Sequence, residues 1–93
     1  MTQTRNPQMN TQTHYEFTTD RHYNGQQRIT VEILSRIESG DPDAVNLIDI
    51  RAKFNDHSRN IRGEVTLMFM HPHFTPRQLQ DAVMLEYDTG RYY

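Results

Sequence analysis

Residues 48–69, IDIRAKFNDHSRNIRGEVTLMF, alternate apolar and polar side chains, enter a polar loop, and then alternate again. The positions that share the apolar parity include Ile48, Ile50, Ala52, Phe54, Ile61, Val65, Leu67 and Phe69. Alternation with a period of two is typical of β-strands that bury one face and expose the other. The segment therefore predicts an antiparallel hairpin with strands over 45–54 and 61–70.

The polar side of this hairpin carries charges that suggest how its strands pair. If Phe54 lies opposite Ile61, charged residues from three successive strands line up on the other face. The aligned residues are Glu32, Arg51 and Glu64. Opposite charges placed directly across strands contribute about 0.2–1 kcal/mol each, so this register is the predicted one.

A second hairpin is predicted upstream, with strands over 14–23 and 28–37. The two strands flank Asn24-Gly25, a dipeptide that tolerates the positive φ angles of tight hairpin turns. In the second strand Ile29, Ile33 and Ile37 share a parity but also lie four residues apart. A helix over 28–37 is therefore an open alternative, which would give the order helix–strand–strand–helix.

The last element has the start and stop signals of a helix over 76–88. Thr75 and Gln78 form a capping box around Pro76 at the first helical position, and Gly90 marks the end. An apolar stripe at helical spacing can cover the inner face of the sheet. The predicted fold is α+β, a four-stranded antiparallel meander with one C-terminal helix packed on its inner face.

Composition limits what kind of protein this is. Residues 1–13 are almost entirely polar and predict a disordered tail, which leaves 14–93 as one small α+β domain. Hydrophobic residues make up only 34% of the chain, so we expect a homodimer or a partner to add stability. Without cysteine or a long apolar run, the expected protein is soluble, cytoplasmic and unattached to membranes.

No sequence motif indicates catalysis or a cofactor, and the chain is predicted not to be an enzyme. His71 and His73 stand two residues apart after the last predicted strand, in a spacing that metal ligands can use. His57 lies at the opposite end of the same hairpin, so it cannot readily complete their site. A metal site at His71 and His73 is kept only as a weak alternative.

The loop of the central hairpin is basic. Its segment 51–62 contains four cationic residues and a single carboxylate, which could contact phosphates or base edges. The candidate residues for nucleic-acid binding are Arg51, Lys53, His57, Arg59 and Arg62. Nucleic-acid binding is the alternative function, because the chain carries no basic excess overall, with a net charge of −2.

Apolar residues on the polar side of the predicted sheet suggest a contact with another protein. Leu34, Leu47, Met68 and Met70 have this outer parity, and Tyr92 and Tyr93 end the chain. Exposed apolar groups of this kind mark interaction surfaces, where methionine and tyrosine are well suited. We therefore predict a non-enzymatic regulator or inhibitor that occludes a protein surface. Its small size suggests a phage or another mobile element as its source.

Overall fold

The computed structural model of the chain describes residues 12–22 and 25–93. Its elements are β1 (His14–His22), β2 (Gly25–Glu38), β3 (Ile48–Asp56), β4 (Ile61–Met70) and α1 (Pro76–Asp88). The strands form one antiparallel sheet in the order β1-β2-β3-β4. The predicted meander with a C-terminal helix is confirmed, and residues 28–37 are strand rather than helix.

Two sequence predictions fall partly or wholly outside the described residues. The turn at residues 23–24 lies outside them, although β1 and β2 pair as far as His22 opposite Gly25. Residues 1–11 of the predicted tail lie outside them too. The last two tail residues contact β2: Thr13 O accepts from Ile33 N at 2.8 Å, and Gln12 O accepts from Arg36 Nη2 at 2.6 Å.

The core lies between α1 and one face of the sheet, which we call the inner face. Alternate residues of β2, β3 and β4 point into it, because β-branched and aromatic side chains suit a pleated, half-buried surface. The largest fully buried apolar side chains are Ile29, Val31, Ile50, Val65, Leu79 and Val83. Each contributes about 1.5–3 kcal/mol by leaving water, which makes this layer the main source of stability.

The helix begins and ends where the sequence predicts. Thr75 Oγ1 accepts from Gln78 N at 3.1 Å, and Gln78 Oε1 accepts from Thr75 N at 2.9 Å, completing the capping box. Gly90 follows the helix with a φ of +72°, a conformation that costs glycine little. The helix therefore starts and stops through local sequence, independently of the sheet.

The predicted strand register is wrong by two residues. Lys53, not Arg51, lies directly opposite both Glu32 and Glu64. Arg51 reaches Glu64 diagonally, with its Nη2 2.8 Å from Oε1. Because Arg51 and Lys53 share a face two residues apart, the charge pattern fits both registers. The loop is shorter than predicted, since the strands pair up to Asp56 opposite Ile61.

A bulge in β2 reverses the parity of its second half. Leu34 is an extra residue between Ile33 opposite Ala52 and Ser35 opposite Arg51. Beyond it Ile37 turns to the outer face and is exposed, although the sequence predicted it to share the buried side. An inserted residue flips every later side chain, and a period-two pattern does not show where the insertion falls.

A second bulge lies in β4, where Met68 and Phe69 together oppose Asp49. It turns Met70 inward, opposite Ile48, where the side chain packs partly buried against the core. The predicted placement of Met70 on the outer face is therefore wrong. So is the predicted inward placement of Phe69, which is exposed. Both errors have the same cause, the single extra residue in β4.

One buried carboxylate joins three elements of the fold. The Asp56 side chain is fully buried at the end of β3. Its Oδ2 accepts from Tyr87 Oη of α1 at 2.6 Å and from Gln27 Nε2 of β2 at 2.8 Å. Its Oδ1 accepts from the backbone N–H groups of Ser58 and Arg59 in the β3–β4 loop. These four hydrogen bonds compensate the loss of water around the charge.

These contacts also shift two pKa values. Burial raises the pKa of the Asp56 carboxyl, but the hydrogen bonds from Tyr87, Gln27, Arg59 and Ser58 together outweigh it, and that pKa lies below its usual value. Burial, followed by the hydrogen bond to Asp56, raises the pKa of Tyr87 to about 12. The carboxylate is therefore the favoured form of Asp56 in the folded protein, and the neutral phenol that of Tyr87.

The last residues of the chain close over the edge of β4. The backbone N–H groups of Tyr93 and Glu64 each donate to the carbonyl of the other residue. The centroid of the Tyr92 ring lies 5.1 Å from that of the Phe54 ring and 5.7 Å from that of the Tyr87 ring. Gly63 permits this approach, since a Cβ there would lie 2.8 Å from Tyr92 Cδ1 and from Tyr93 O. The closing segment thus depends on a missing side chain in β4.

The Asp56 hydrogen bonds predict how stability changes with pH. Asp56→Asn should lower the free energy of unfolding at pH 7 by about 1.5–3 kcal/mol, the contribution of hydrogen bonds to a charged group. Because the folded pKa is depressed, the wild-type advantage is present above about pH 4 and is lost as the pH falls through the folded pKa. Urea unfolding should therefore give a smaller difference in unfolding free energy between wild type and Asp56→Asn at pH 3 than at pH 7. The same difference at both pH values would contradict a depressed pKa of Asp56.

The contacts of Gly63 predict a second change in stability. Gly63→Ala should lower the free energy of unfolding by about 1–3 kcal/mol, because the new methyl group overlaps Tyr92, Tyr93 O and Phe54. Gly40→Ala is the matched control, since a Cβ there meets nothing within 4 Å. The midpoint temperature of thermal unfolding should therefore be clearly lower for Gly63→Ala than for Gly40→Ala. Equal midpoints would mean that the closing segment does not pack on Gly63.

Candidate protein-binding surface

The face of the sheet away from α1, the outer face, carries four exposed apolar side chains at one end. They are Leu34 (42% exposed), Ile37 (60%), Met68 (57%) and Phe69 (46%), and we call them the apolar patch. Leu34, Met68 and Phe69 belong to the two bulges, and Ile37 lies three residues beyond the first. The bulges therefore create the patch by turning apolar residues of β2 and β4 to the same face.

Asp49 of β3 lies in the middle of the patch. Its Cα partner on one side is Ile37, and on the other side it opposes the bulge formed by Met68 and Phe69. Its Oδ1 accepts a hydrogen bond from Phe69 N at 3.2 Å. The patch thus consists of apolar residues from two strands arranged around one carboxylate, which also ties down the bulge.

Phe69 has an unusual backbone conformation for its residue type. Its φ is +60°, in the left-handed region, whereas the chain uses asparagine at its other non-glycine positions with positive φ among the described residues. A bulky side chain there costs roughly 1–2 kcal/mol, and strained residues concentrate at functional sites. Burial of the ring does not offset this strain, because the side chain is nearly half exposed.

The predicted partner-binding residues fall into separate groups. Leu34 and Met68 belong to the patch, and partly exposed Leu47 directly precedes β3 at the same end of the sheet. Met70 packs inward, and Tyr92 packs on the rings of Phe54 and Tyr87. Tyr93 is 95% exposed, but its backbone pairs with β4. The structure therefore does not bring these six residues into one surface.

Ile37 and Phe69 were missed as surface residues. Both have the inward parity of their strands in the sequence, and neither bulge is marked by a glycine. Glycine is the usual signal of a bulge residue with positive φ. Sequence reasoning therefore had no local sign that these two apolar side chains point outward.

The five basic candidates do not form one cluster either. Arg51 is paired with Glu64, and His57 in the loop exchanges a hydrogen bond of 2.9 Å between Nε2 and Thr30 Oγ1. Arg59 supplies a backbone N–H to Asp56 from the loop. The remaining two, Lys53 and Arg62, lie on the outer face along β3 and β4.

Carboxylates surround Lys53 and Arg62. Both line a shallow groove of about 690 Å³ on the outer face, together with Glu16, Glu32 and Glu64. The hydrogen bond and the positive charge of Arg28 lower the pKa of Glu16, so this carboxylate stays charged at neutral pH. With Glu16 paired to Arg28 and Glu64 paired to Arg51, the groove carries both signs of charge. It lacks the basic excess typical of a nucleic-acid site, which weakens the case for nucleic-acid binding there.

The weak metal alternative gains no further ligand from the fold. His71 and His73 lie in the connection between β4 and α1. Within residues 12–22 and 25–93 no three side chains of histidine, aspartate or glutamate are grouped so that they could hold a metal ion. A site at these two histidines would therefore need ligands from elsewhere.

No protein-family model, curated protein or solved structure matches this chain. In the part of the chain that the structure describes, no helix has the length and apolar character needed to cross a membrane. Function is therefore inferred from the surface itself, and the apolar patch is its most distinctive feature.

The conformation of Phe69 predicts an inverted order of stability between two variants. Phe69→Gly should be more stable than Phe69→Ala by about 1 kcal/mol, because only glycine adopts the left-handed region without strain. At an ordinary strand position the order is the opposite, since glycine weakens a strand. Chemical unfolding of the pair measures the difference. An alanine variant at least as stable as the glycine variant would contradict a positive φ at this residue.

Proposed function

We propose that this chain is a non-enzymatic binding protein that regulates or inhibits another protein by covering part of its surface. The contact surface in this proposal is the apolar patch. The observation that carries it is Phe69, an aromatic side chain held exposed at the cost of backbone strain. Strain of this kind is retained where the resulting position has a use.

The composition of the patch suits recognition of another protein. Aromatic side chains supply much of the energy at the centre of interfaces, and Phe69 is the aromatic member of the patch. Met68 is unbranched and adapts to irregular partner surfaces. Leu34 and Ile37 widen the apolar area from the neighbouring strand. Occlusion needs only this contact area and a folded body behind it, so the proposal assigns no chemistry to the chain.

The setting of the protein is part of the proposal. A chain without cysteine is suited to a reducing compartment such as the cytoplasm. A small binding domain without catalytic motifs also fits a regulator encoded by a phage or another mobile element. A homodimer is compatible with the same function, provided that it leaves the patch accessible to the partner.

Nucleic-acid binding through residues 51–62 is the competing proposal. It requires cationic side chains that are available to phosphates, whereas Arg51 is paired with Glu64 and the groove around Lys53 is lined by carboxylates. Such binding would weaken with salt and with loss of Arg59 or Arg62. Protein binding through the apolar patch would not depend on either arginine.

The experiment compares captures by matched variants of the intact protein. Met68→Asp and Leu85→Asp each place a carboxylate at an apolar side chain that is 57% exposed, the first in the patch and the second on α1. Tagged wild type and both variants are incubated with lysate of the source cells, with and without nuclease and raised salt. The retained proteins are quantified by mass spectrometry.

We expect a protein that wild type and Leu85→Asp retain and that Met68→Asp loses at least tenfold. A charge forced against an apolar interface costs several kcal/mol, enough for this loss. Circular dichroism must show that Met68→Asp is folded. A partner retained equally by both variants would refute the patch as the contact surface. Material that disappears with nuclease or salt, and with Arg59→Ala, would support the competing proposal.

A further inference from the structure

We infer that the partner presents an apolar contact edged by lysine or arginine. This inference rests on the proposed function and deepens it, because it specifies the chemistry that the apolar patch selects. The observation behind it is the charge of the chain around the patch. Residues 37–50 contain four carboxylates and no lysine or arginine, and residues 66–74 contain neither acidic residues nor lysine or arginine.

Asp49 restricts the chemistry of a partner most strongly, because its carboxylate lies inside the patch and is buried when the patch is covered. One of its oxygens accepts from Phe69 N, and its side chain is partly exposed. Any protein that covers Ile37 and Phe69 also removes water from this carboxylate. Burying a charge without a partner is costly, whereas a cation placed against it compensates the loss of water. A purely apolar partner would therefore bind worse than one that brings a lysine or an arginine.

The surroundings of the patch add to this demand. Glu38 follows Ile37 in β2, and Asp41 and Asp43 lie in the loop that leads to β3. The nearby cations are engaged elsewhere: Arg36 lies over the Phe74 ring and donates to Gln12 O, and Arg51 is paired with Glu64. Residues 37–50 thus give this end of the sheet an acidic field, with four carboxylates and no lysine or arginine among them. Such a field attracts basic surfaces and repels acidic ones.

A second copy of the chain fits this surface poorly. Two copies that met patch to patch would bring two Asp49 carboxylates together. Like charges juxtaposed in an interface are destabilising. A basic partner removes this repulsion, and it also explains why an apolar surface carries a carboxylate at its centre. We therefore assign the apolar patch to a different, basic protein.

The test uses the partner retained in the capture, purified, and measures its affinity for variants that differ by one charge. Asp49→Asn keeps an oxygen that can accept from Phe69 N and removes the charge within the patch. Glu38→Gln removes a second negative charge from the same end of the sheet, at the residue that follows Ile37 and lies opposite Ile48. Asp20→Asn is the control, because this exposed residue lies on β1 near the other end of the sheet. We expect the double variant Asp49→Asn/Glu38→Gln to bind about tenfold more weakly and Asp20→Asn to be unchanged.

Zero-length cross-linking with a carbodiimide identifies the opposing group. It joins carboxylates to lysine amines, and Lys53 is the only lysine in this chain. The inference expects cross-links from Asp49 or Glu38 to lysines at the edge of the partner's contact, and their loss in the double variant Asp49→Asn/Glu38→Gln. A cross-link from these acids to Lys53 of another copy would instead identify self-association and overturn the inference.

The remaining outcomes separate the inference from the proposed function. A partner that requires Met68 but binds the neutralised double variant as tightly as wild type would overturn the inference and leave the proposed function in place. A capture in which nothing depends on Met68 would overturn both. Cross-links that map to Glu16, Glu32 or Glu64 would move the contact to the groove and would also overturn the inference.

Discussion

The fold depends on Asp56, a charge buried among three elements that sequence places far apart. Its carboxylate holds Gln27 of β2, the N–H groups of the β3–β4 loop and the Tyr87 hydroxyl of α1 at once. Removing one partner of a buried charge leaves the rest uncompensated, which is far more costly than losing a surface contact. The carboxylate therefore ties β2, the β3–β4 loop and α1 together at the end of β3.

Once the helix is fixed on the inner face, the outer face is left to function. The two bulges then determine what it displays. Each adds one residue to a strand, and together they turn Ile37 and Phe69 outward around Asp49 while sending Arg36 and Met70 inward. An ordinary sheet with this sequence would have buried Ile37 and Phe69 instead. The irregularities that weaken the ladder are thus what produce the apolar patch.

The sequence predicted the elements well and their alignment poorly, for identifiable reasons. Alternation and capping are local signals, and they located the strands and the helix. Register and parity depend on contacts between distant residues: Arg51 and Lys53 satisfy the charge ladder equally, and neither bulge has a glycine to mark it. In the sequence Asp56 is only the single carboxylate of a basic segment, because it is the fold that brings Tyr87 to it. Of the surface residues, Leu34 and Met68 could be predicted, whereas Ile37 and Phe69 could not.

The most direct measurement of the central claim is amide hydrogen exchange of the chain, alone and with the captured partner bound. If the apolar patch is the contact surface, the bound partner should protect residues 34–37 and 67–70 from exchange. Exchange at residues 57–60 in the β3–β4 loop should stay unchanged. Residues 67–70 and 57–60 lie at opposite ends of the β3–β4 hairpin, and residues 34–37 of β2 lie at the same end as 67–70, so the readouts do not overlap. Protection confined to the loop, with exchange in both bulges unchanged, would contradict it.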